Sequence, residues 1–397
     1  MAVDSGLFTL FLPDTGSVPP ALLAAVLALL LFVIIFITKL FGFFKILLNI
    51  VIFTYPNAYV AVKGNPCIRE AELNRLIESG SIPEVLALLR GYGFDIGVGD
   101  FATMEEIDRE LEDDYRRECT EIEHIVPDSV KPFFRAFCMV QEAGVIKTAI
   151  RLKNAGIEAE AMESMLGPVG MIDRPLLRKM ADARNVDELV RLFQATVYGP
   201  PLIGALPDAA MEQTTLPLEC ALDAFTGEHL SSSLSLVDAL QSPPLADFVM
   251  CYFDITNIKI LLRGMRDGVE IDVLAQDFLP QGRITHDALK RMAEARSVQD
   301  LATYIHETPY GSAFASAMVL SEESGSLQPF ETLLDRVLLD VVTRLSMVYT
   351  FGPATVIRYL IARQFELRNI RAIVWGIQNR SAPETMRAMV IRQGGAA

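Results

Sequence analysis

The sequence is short of the residues on which most catalytic and metal-binding motifs are built. Its 397 residues include five cysteines and four histidines, and neither type shows a spacing typical of a metal site. Scattered cysteines in odd number indicate reduced thiols rather than a disulfide framework. G-x-S-x-G and H-E-x-x-H are absent as well. We therefore expect no metal and no cofactor, although an enzyme whose site residues converge from distant positions stays open.

Nucleotide loops and clusters of basic residues are also missing. The chain has no G-x-x-x-x-G-K-[ST] stretch. Its glycine-rich GYGFDIGVGD, residues 91–100, follows a helical pattern rather than a strand, which is typical of a helix end and a turn. The net charge of −15 argues against nucleic acid, because neutralising phosphates needs clustered Lys and Arg. We expect no nucleotide and no nucleic acid as partners.

A long hydrophobic run is present near the start of the chain. Residues 15–38 carry no charge, and their core ALLAAVLALLLFVIIFIT is long enough to cross a bilayer as a helix. The preceding segment has two aspartates and no Lys or Arg, unlike a signal peptide, so we expect a retained anchor. Lys39, Lys45 and Lys63 follow the run. The positive-inside rule then predicts a location at the cell membrane, with the large domain on the cytoplasmic side.

The apolar stretch that follows, residues 40–56, has three interpretations. It could form a second, imperfect span, an interfacial helix, or a helix packed against the remaining domain. We favour one span followed by an interfacial helix.

One block of residues occurs twice, 112 residues apart. FDITNIKILLRG begins at Phe253 and FELRNIRAIVWG begins at Phe365. A weaker third copy, VIKTAIRLKNAG, begins at Val145, which stands where the other copies have Asn257 and Asn369. Asn is a poor helix former, so its presence in the middle of two predicted helices calls for an explanation. Buried hydrogen bonds that pin neighbouring helices are favoured over ligand contacts.

The same block places a cation at three equivalent positions. These are Lys147, Lys259 and Arg371. They could form a ring of positive charge near a symmetry axis, or they could be ordinary salt-bridging residues.

A second pattern, a capped helix, also occurs three times. Ser81, Asn185 and Ser297 are good N-caps, and each precedes apolar residues at i, i+3, i+4 and i+7, one face of a helix. An acidic residue at the third helical position predicts two capping boxes and one near miss. An aromatic residue follows the last apolar position by five in each copy. These aromatic residues are Phe94, Tyr198 and Tyr310.

The acidic segment TMEEIDRELEDDYRRE, residues 103–118, has two interpretations. It could dock a basic partner, or it could be the solvated face of a helix, which we favour.

Together the repeats predict an all-α fold of three pseudo-symmetric helical modules after an N-terminal transmembrane helix. Units of more than 100 residues are too long for TPR- or HEAT-type arrays. Large modules joined head to tail must close on themselves or spiral open. The expected divisions are an N-terminal anchor with the following apolar helix, residues 1–56, and modules at residues 57–160, 161–270 and 271–397.

The two N-I-[KR] blocks, with the Pro-containing tail SAPETMRAMVI after the second, resemble the C subunit of archaeal-type rotary ATPases and its eukaryotic relative, the d subunit of V-type ATPases. The resemblance covers roughly residues 57–397 and is strongest after residue 240. It implies a funnel-like all-α body that sits between the membrane rotor ring and the central shaft and transmits torque. Rotor-ring proteolipids and shaft proteins are the partners implied, and neither catalysis nor nucleotide binding is expected.

Within the resemblance, Asn257, Lys259, Asn369, Arg371 and Lys147 match positions that mark the family structurally. The family body is soluble, so the hydrophobic N-terminus is an addition. A membrane-anchored helical scaffold that binds other cytoplasmic proteins is the alternative function, and a membrane-bound enzyme without recognisable motifs is a third.

Overall fold

A computed structural model describes the chain at residues 20–64, 68–92, 94, 99, 103–237, 241–269, 278, 279 and 281–392. The chain divides into two units, Met1–Ile52 and Phe53–Ala397. Among the described residues no strand forms, apart from an isolated bridge between Val169 and Ile172. The expectation of an all-α fold is confirmed.

The helices fall into three groups along the chain. The first group is α1 (Pro20–Lys63), α2 (Glu70–Ile77), α3 (Ile82–Gly91) and α4 (Met104–Ile125). The second is α5 (Lys131–Asn154), α6 (Ala159–Met165), α7 (Arg174–Asp182), α8 (Val186–Arg191), α9 (Gly199–Glu212) and α10 (Leu216–Leu234). The third is α11 (Ser242–Asp267), α12 (His286–Ala293), α13 (Val298–Ile305), α14 (Gly311–Ser324), α15 (Gln328–Val348), α16 (Pro353–Gln378) and α17 (Pro383–Met389).

The first unit contains most of α1. Residues 24–48 of this helix are exposed, and by length and composition the helix could cross a membrane. No turn separates residues 40–56 from the preceding run, so this stretch is neither a separate interfacial helix nor the return arm of a hairpin. Gly42 alone is too weak a helix breaker to end the helix there. The two aspartates used to orient the span, Asp4 and Asp14, lie outside the described residues.

The second unit begins with the last turns of α1. Phe53 and Val60 are 0% and 3% exposed there, which indicates that these turns belong to its core. The Asn57 side-chain amide donates to the carbonyl of Thr350 at 3.2 Å. Burial and this hydrogen bond together fix where the chain enters the unit.

All three capped helices begin where the sequence predicts. The side chains of Asn185 and Ser297 accept the backbone N–H of the third helical residue, at 2.9 and 3.1 Å. The Ser81 side chain makes no such bond, so that capping box is wrong. Instead Glu84 accepts the N–H of Gly80, and Glu188 likewise accepts the N–H of the residue before its cap. The acidic residue therefore satisfies a donor one position earlier than the box assumes.

Three long helices organise the second unit, and each packs against another long helix. The pairs are α5 with α10, α11 with α15, and α16 with α4. The capped helix α8 packs on α5, whereas α11 packs on α12, which in turn packs on the capped helix α13. The last long helix has no capped helix after it in the chain, and α2 and α3, from the start of the unit, pack against it instead. Two copies of the repeat are thus continuous in sequence, and the third combines both ends of the chain.

Two ion pairs join the C-terminal residues to α2, near the start of the second unit, and a buried amide holds the C-terminal residues to α16. Arg392 lies 2.8 Å from Glu70, and Arg387 lies 2.9 Å from Glu78. Asn369, in the middle of α16, donates to the carbonyl of Ile391 at 2.6 Å and accepts its N–H at 2.7 Å. Because Ile391 is buried, this amide satisfies both main-chain groups where water does not reach them.

Asn369→Val should lower the free energy of unfolding of the full chain by roughly 2 to 4 kcal/mol, because it leaves a buried N–H and a buried C=O of Ile391 without partners. Urea denaturation in detergent measures the change, and hydrogen exchange should show α17 and α2 opening first. Asn379→Ala, at an exposed position, is the control and should cost less than about 0.5 kcal/mol. Equal losses in the two variants would contradict this role for Asn369.

Candidate functional site

The residues of the repeated block lie on the three long helices, α5, α11 and α16, which contact one another in pairs. The Gln364 amide on α16 donates to Gln141 on α5 at 2.6 Å. The rings of Phe133 on α5 and Phe248 on α11 lie 6.2 Å apart, edge to face. Helices α11 and α16 pack directly on each other. The repeat therefore brings three equivalent helix faces together.

Each of the three equivalent cations bonds to a carboxylate on a neighbouring long helix. Lys147 reaches Asp223 on α10 at 2.5 Å, and Lys259 reaches Asp335 on α15 at 2.5 Å. Arg371 pairs with Glu112 on α4. Each cation is thereby neutralised, so these residues form interhelical salt bridges rather than an uncompensated ring of positive charge.

A second layer of ion pairs lies one helical turn further along. Arg151 pairs with Glu219, while Arg263 lies 2.6 Å from Glu331 and 3.3 Å from Glu219, which joins α10, α11 and α15. Burial alone would raise the pKa of Glu219, but Arg151 and Arg263 outweigh it and lower the pKa below its usual value. The pKa of Glu331 is lowered to about 2, because Arg263 and Lys259 likewise outweigh burial.

The third copy lacks this second layer. Trp375, the chain's single tryptophan, stands where the other copies have Arg151 and Arg263, and Ile107 stands where they have glutamate. Trp375 is 45% exposed, whereas Ile107 is fully buried. The site is therefore charged on two sides and aromatic on the third.

A cavity of about 360 Å³ lies between α5, α11 and α15. Lys147, Lys259, Arg263 and Asp335 line it, and all four already take part in salt bridges. A catalytic site keeps a titratable group available to its substrate. These groups bind one another instead, which stiffens the contacts between helices.

The two asparagines of the repeated block bind main chain in the same way. Asn257 donates to the carbonyl of Leu279 at 3.0 Å and accepts its N–H at 2.9 Å. Asn369 does the same with Ile391, also 22 residues further on. These contacts match the favoured interpretation of buried amides that pin a neighbouring segment. Val145, in the third copy, has no group that could form these two bonds.

A buried carboxyl group recurs on each long helix, and sequence reasoning missed it. Asp254 accepts the Tyr310 hydroxyl at 2.8 Å and the N–H groups of Arg283 and Ile284 at 3.1 and 3.0 Å. Glu142 accepts the Tyr198 hydroxyl at 2.5 Å and the N–H of Met171 at 2.8 Å. The sequence does contain a pattern that could have revealed these residues, because an acidic residue recurs every 112 residues. It is hard to see because the residue is Glu in two copies and Asp in the other.

The third carboxyl, Glu366, has a different partner. Phe94 replaces tyrosine and has no hydroxyl, and the Arg363 guanidinium lies 4.7 Å from the centre of its ring. Arg363 donates to Glu366 at 2.8 Å and also pairs with Asp114 at 2.7 Å. Burial raises the pKa of Glu366 to about 8 in spite of Arg363, and the backbone N–H of Ile68 also bonds to it. Glu366 therefore joins the last long helix to the residues just before α2.

Over residues 112–118 the acidic segment in α4 pairs within the protein instead of forming a solvated face. Four of its carboxylates bond to cations from other helices. The pairs are Glu112 with Arg371, Asp113 with Arg174, Asp114 with Arg363, and Glu118 with Arg363 and Lys63.

Glu106, in the first turn of α4, remains exposed, whereas the equivalent Leu218 and Phe330 are 0% and 1% exposed. In those copies α9 or α14 packs on the helix equivalent to α4.

Other motifs add no chemical site to the described residues. No cluster of His, Cys, Asp and Glu in the described ranges has the geometry of a metal site. Of the glycine-rich stretch, Gly91 ends α3, while Gly93 and Gly97 lie outside the described residues, as does Cys67.

Comparison with known proteins gives a consistent result. The family described as ATP synthase (C/AC39) subunit matches residues 56–389. The chain is 28% identical to the C subunit of the A-type ATP synthase from Methanocaldococcus jannaschii over 90% of both chains. It is 28% identical to the protein of the same name from Methanothermobacter thermautotrophicus, over 86% of this chain and 88% of the relative. The Methanosphaera stadtmanae protein of that name is 27% identical over 96% and 97%.

Asp335→Asn should destabilise the chain more than Asp223→Asn does. Asp335 neutralises Lys259 and also Arg368, each at 2.5 Å, whereas Asp223 neutralises Lys147. Removing one partner of a buried pair costs roughly 3 to 5 kcal/mol, and the second uncompensated cation should add to that. Urea denaturation of both variants checks the order. A larger loss of stability for Asp223→Asn would show that the second ion pair of Asp335 does not add to the stability of the chain.

Glu366 should make the second unit less stable as the pH rises from about 5 to 8. Its pKa is about 8 in the folded chain against an ordinary 4.5, so in this window the folded state holds a proton that the unfolded chain has released. Stability from this group is thus lost as pH rises through the window and is constant above it. In the Glu366→Gln variant, the urea concentration at the unfolding midpoint should depend less on pH between about pH 5 and 8. Glu307→Gln, at an exposed position, should leave the slope unchanged.

Proposed function

The chain belongs to the ATP synthase (C/AC39) subunit family, whose members are non-catalytic subunits of rotary complexes, and we propose that it is the central-stalk component that joins the membrane rotor ring to the central shaft of an A-type ATP synthase. In this role it turns with the ring and transmits torque between ion flow and the ATP chemistry of a separate catalytic head.

The main support for the proposal is that salt bridges connect the long helices of the second unit to one another. A part that transmits torque must resist twisting between its ends. Three long helices contact one another, and salt bridges tie each of them to a helix beside it. Breaking such a pair leaves a charge without its partner in a place largely removed from water, which is costly. In the third copy, ion pairs rather than a continuous stretch of chain join the C-terminal residues to α2.

The family positions in the site have structural roles in this proposal. Lys147, Lys259 and Arg371 hold neighbouring long helices, and Asn257 and Asn369 hold the segment after their own helix. In this proposal there are three modules. The pairing of long helices supports grouping residues 131–234, residues 242–348, and residues 353–392 with residues 68–125, in place of the consecutive bounds 57–160, 161–270 and 271–397 expected from the sequence.

The first unit serves as a membrane anchor in this proposal. Its helix has the length and apolar character of a span, and Lys39 and Lys45 come after the uncharged run. The positive-inside tendency favours a cytoplasmic second unit, which is where a shaft and a catalytic head would meet it. The partners are then the small proteolipids of the ring and the proteins of the shaft. Family membership favours this role over a general scaffold.

Purification of the tagged chain from its native membrane in mild detergent tests the assignment. We expect one copy of the chain to accompany nucleotide-binding head proteins and a small proteolipid, measured by native mass spectrometry. Recovery of the chain alone, or with unrelated cytoplasmic proteins, would replace the rotor assignment with the scaffold.

A chain that begins at Phe53 should fold but leave the membrane. The second unit has its own core, which includes Phe53 itself, so removal of residues 1–52 should preserve helical circular dichroism after correction for the lost helix. Carbonate washing of membranes measures attachment: the full chain should stay in the pellet and the shortened chain should enter the supernatant. Pelleting of both chains would refute an anchor confined to residues 1–52.

A further inference from the structure

Two cysteines lie opposite each other on neighbouring helices of the second unit. Cys119 is six residues before the end of α4, and Cys138 is seven residues after the start of α5. The two helices contact each other and are joined by residues 126–130, so they form a hairpin. Because each residue of a helix adds about 1.5 Å, the two cysteines stand at nearly the same distance from the connection.

A salt bridge across the hairpin supports this register. The Arg135 guanidinium on α5 lies 2.7 Å from the Glu123 carboxylate on α4. Glu123 is four residues after Cys119, and Arg135 is three residues before Cys138. The salt bridge is therefore about one helical turn closer to the connection than the two cysteines on both helices.

Both thiols face the same cavity, which has a volume of about 320 Å³. Its walls are the facing sides of α4 and α5 and residues 169–171. Cys119 and Cys138 are half-buried, and neither forms a disulfide in the structure. A thiolate at Cys138 would raise the pKa of Cys119 further, which indicates that the two sulfur atoms are close to each other.

The surroundings of the two thiols favour oxidation over metal binding. No other His, Cys, Asp or Glu in the described ranges completes a three-ligand set with them. Zinc sites in proteins have three or four protein ligands. Two neighbouring thiols without further ligands can instead join to each other, and a disulfide needs its two Cβ atoms only about 3.5 to 4.5 Å apart.

We propose that Cys119 and Cys138 are an oxidisable pair, which a low-molecular-weight disulfide such as oxidised glutathione converts to a disulfide bond between α4 and α5. One thiolate attacks a sulfur of oxidised glutathione, and one reduced glutathione leaves. The second thiolate then attacks the protein sulfur of the mixed disulfide, and a second reduced glutathione leaves. The protein loses two electrons, and the protons of its two thiols end on the two glutathione molecules.

The bond would fasten a junction between two modules. In the proposed grouping α4 belongs to one module and α5 to the next, so the hairpin is where the chain passes between them. Burial raises the pKa of both thiols, that of Cys138 to about 12, so few thiolates exist near neutral pH. The exchange should therefore take on the order of hours. Thiols of high pKa are also poor leaving groups, so the bond should be slow to reduce.

Mass spectrometry of the oxidised full chain tests the proposal. The chain in detergent carries Cys67→Ser, which removes the cysteine that lies outside the described residues, and is incubated overnight with oxidised glutathione. We expect a product that has lost two hydrogen atoms, with the peptides of Cys119 and Cys138 linked after digestion. Cys220 and Cys251, 1% and 0% exposed, should remain thiols. The linked chain should unfold at a temperature roughly 3 to 6 °C higher, and dithiothreitol should reverse the shift.

Single variants and an unfolded sample make the test decisive. Cys119→Ser and Cys138→Ser are matched controls, and neither should gain thermal stability on oxidation. Glutathione attached to Cys119 or Cys138 of the parent chain, without a bond between them, would overturn the proposal by showing that the two thiols are reachable but do not meet. Thiols that stay unmodified in the folded chain, yet form the bond in urea, would overturn it as well.

Discussion

The second unit depends on one constraint: a carboxyl group buried on each long helix must find donors inside the protein. Glu142 and Asp254 obtain them from a tyrosine hydroxyl and from the main chain that begins the next pair of short helices. Each bond set fixes where that main chain lies, and hence where the capped helix packs. A Cβ at Gly170 would lie 1.7 Å from the Glu142 carboxylate, so the approach is as close as the backbone permits. The repeat is therefore held by polar anchors inside an apolar core.

The third copy shows how the same constraint is met with different residues. Phe94 cannot donate, and Arg363 supplies the charge instead, which draws Asp114 and Glu118 of α4 into the same cluster. Burial, with a smaller contribution from the negative charge of Glu118, raises the pKa of Glu366 to about 8 in spite of Arg363. Arg263 and Lys259 instead lower the pKa of Glu331 to about 2, in spite of burial.

Much of this architecture could be predicted from the sequence, because helix caps and apolar faces are local. The starts of α3, α8 and α13 follow from Ser81, Asn185 and Ser297, and the mid-helix asparagines pointed to buried hydrogen bonds. Which copies pack together could not be predicted, since it depends on contacts between residues far apart in the chain. The salt bridges of α4 were missed for the same reason: composition shows the acidic residues, but their cations come from α7 and α16. Unbroken α1 was missed because residues 40–56 suit several environments equally.

The closing of the third copy by both chain ends has a consequence during synthesis. Asp114 and Arg363 are 249 residues apart, so at 5 to 20 residues per second the ribosome needs roughly 10 to 50 s to supply the partner after α4 has emerged. Throughout this interval α2, α3 and α4 expose the surfaces that α16 and α17 later cover, while α1 has already left the ribosome. These surfaces make the nascent chain prone to aggregation until the last helices arrive.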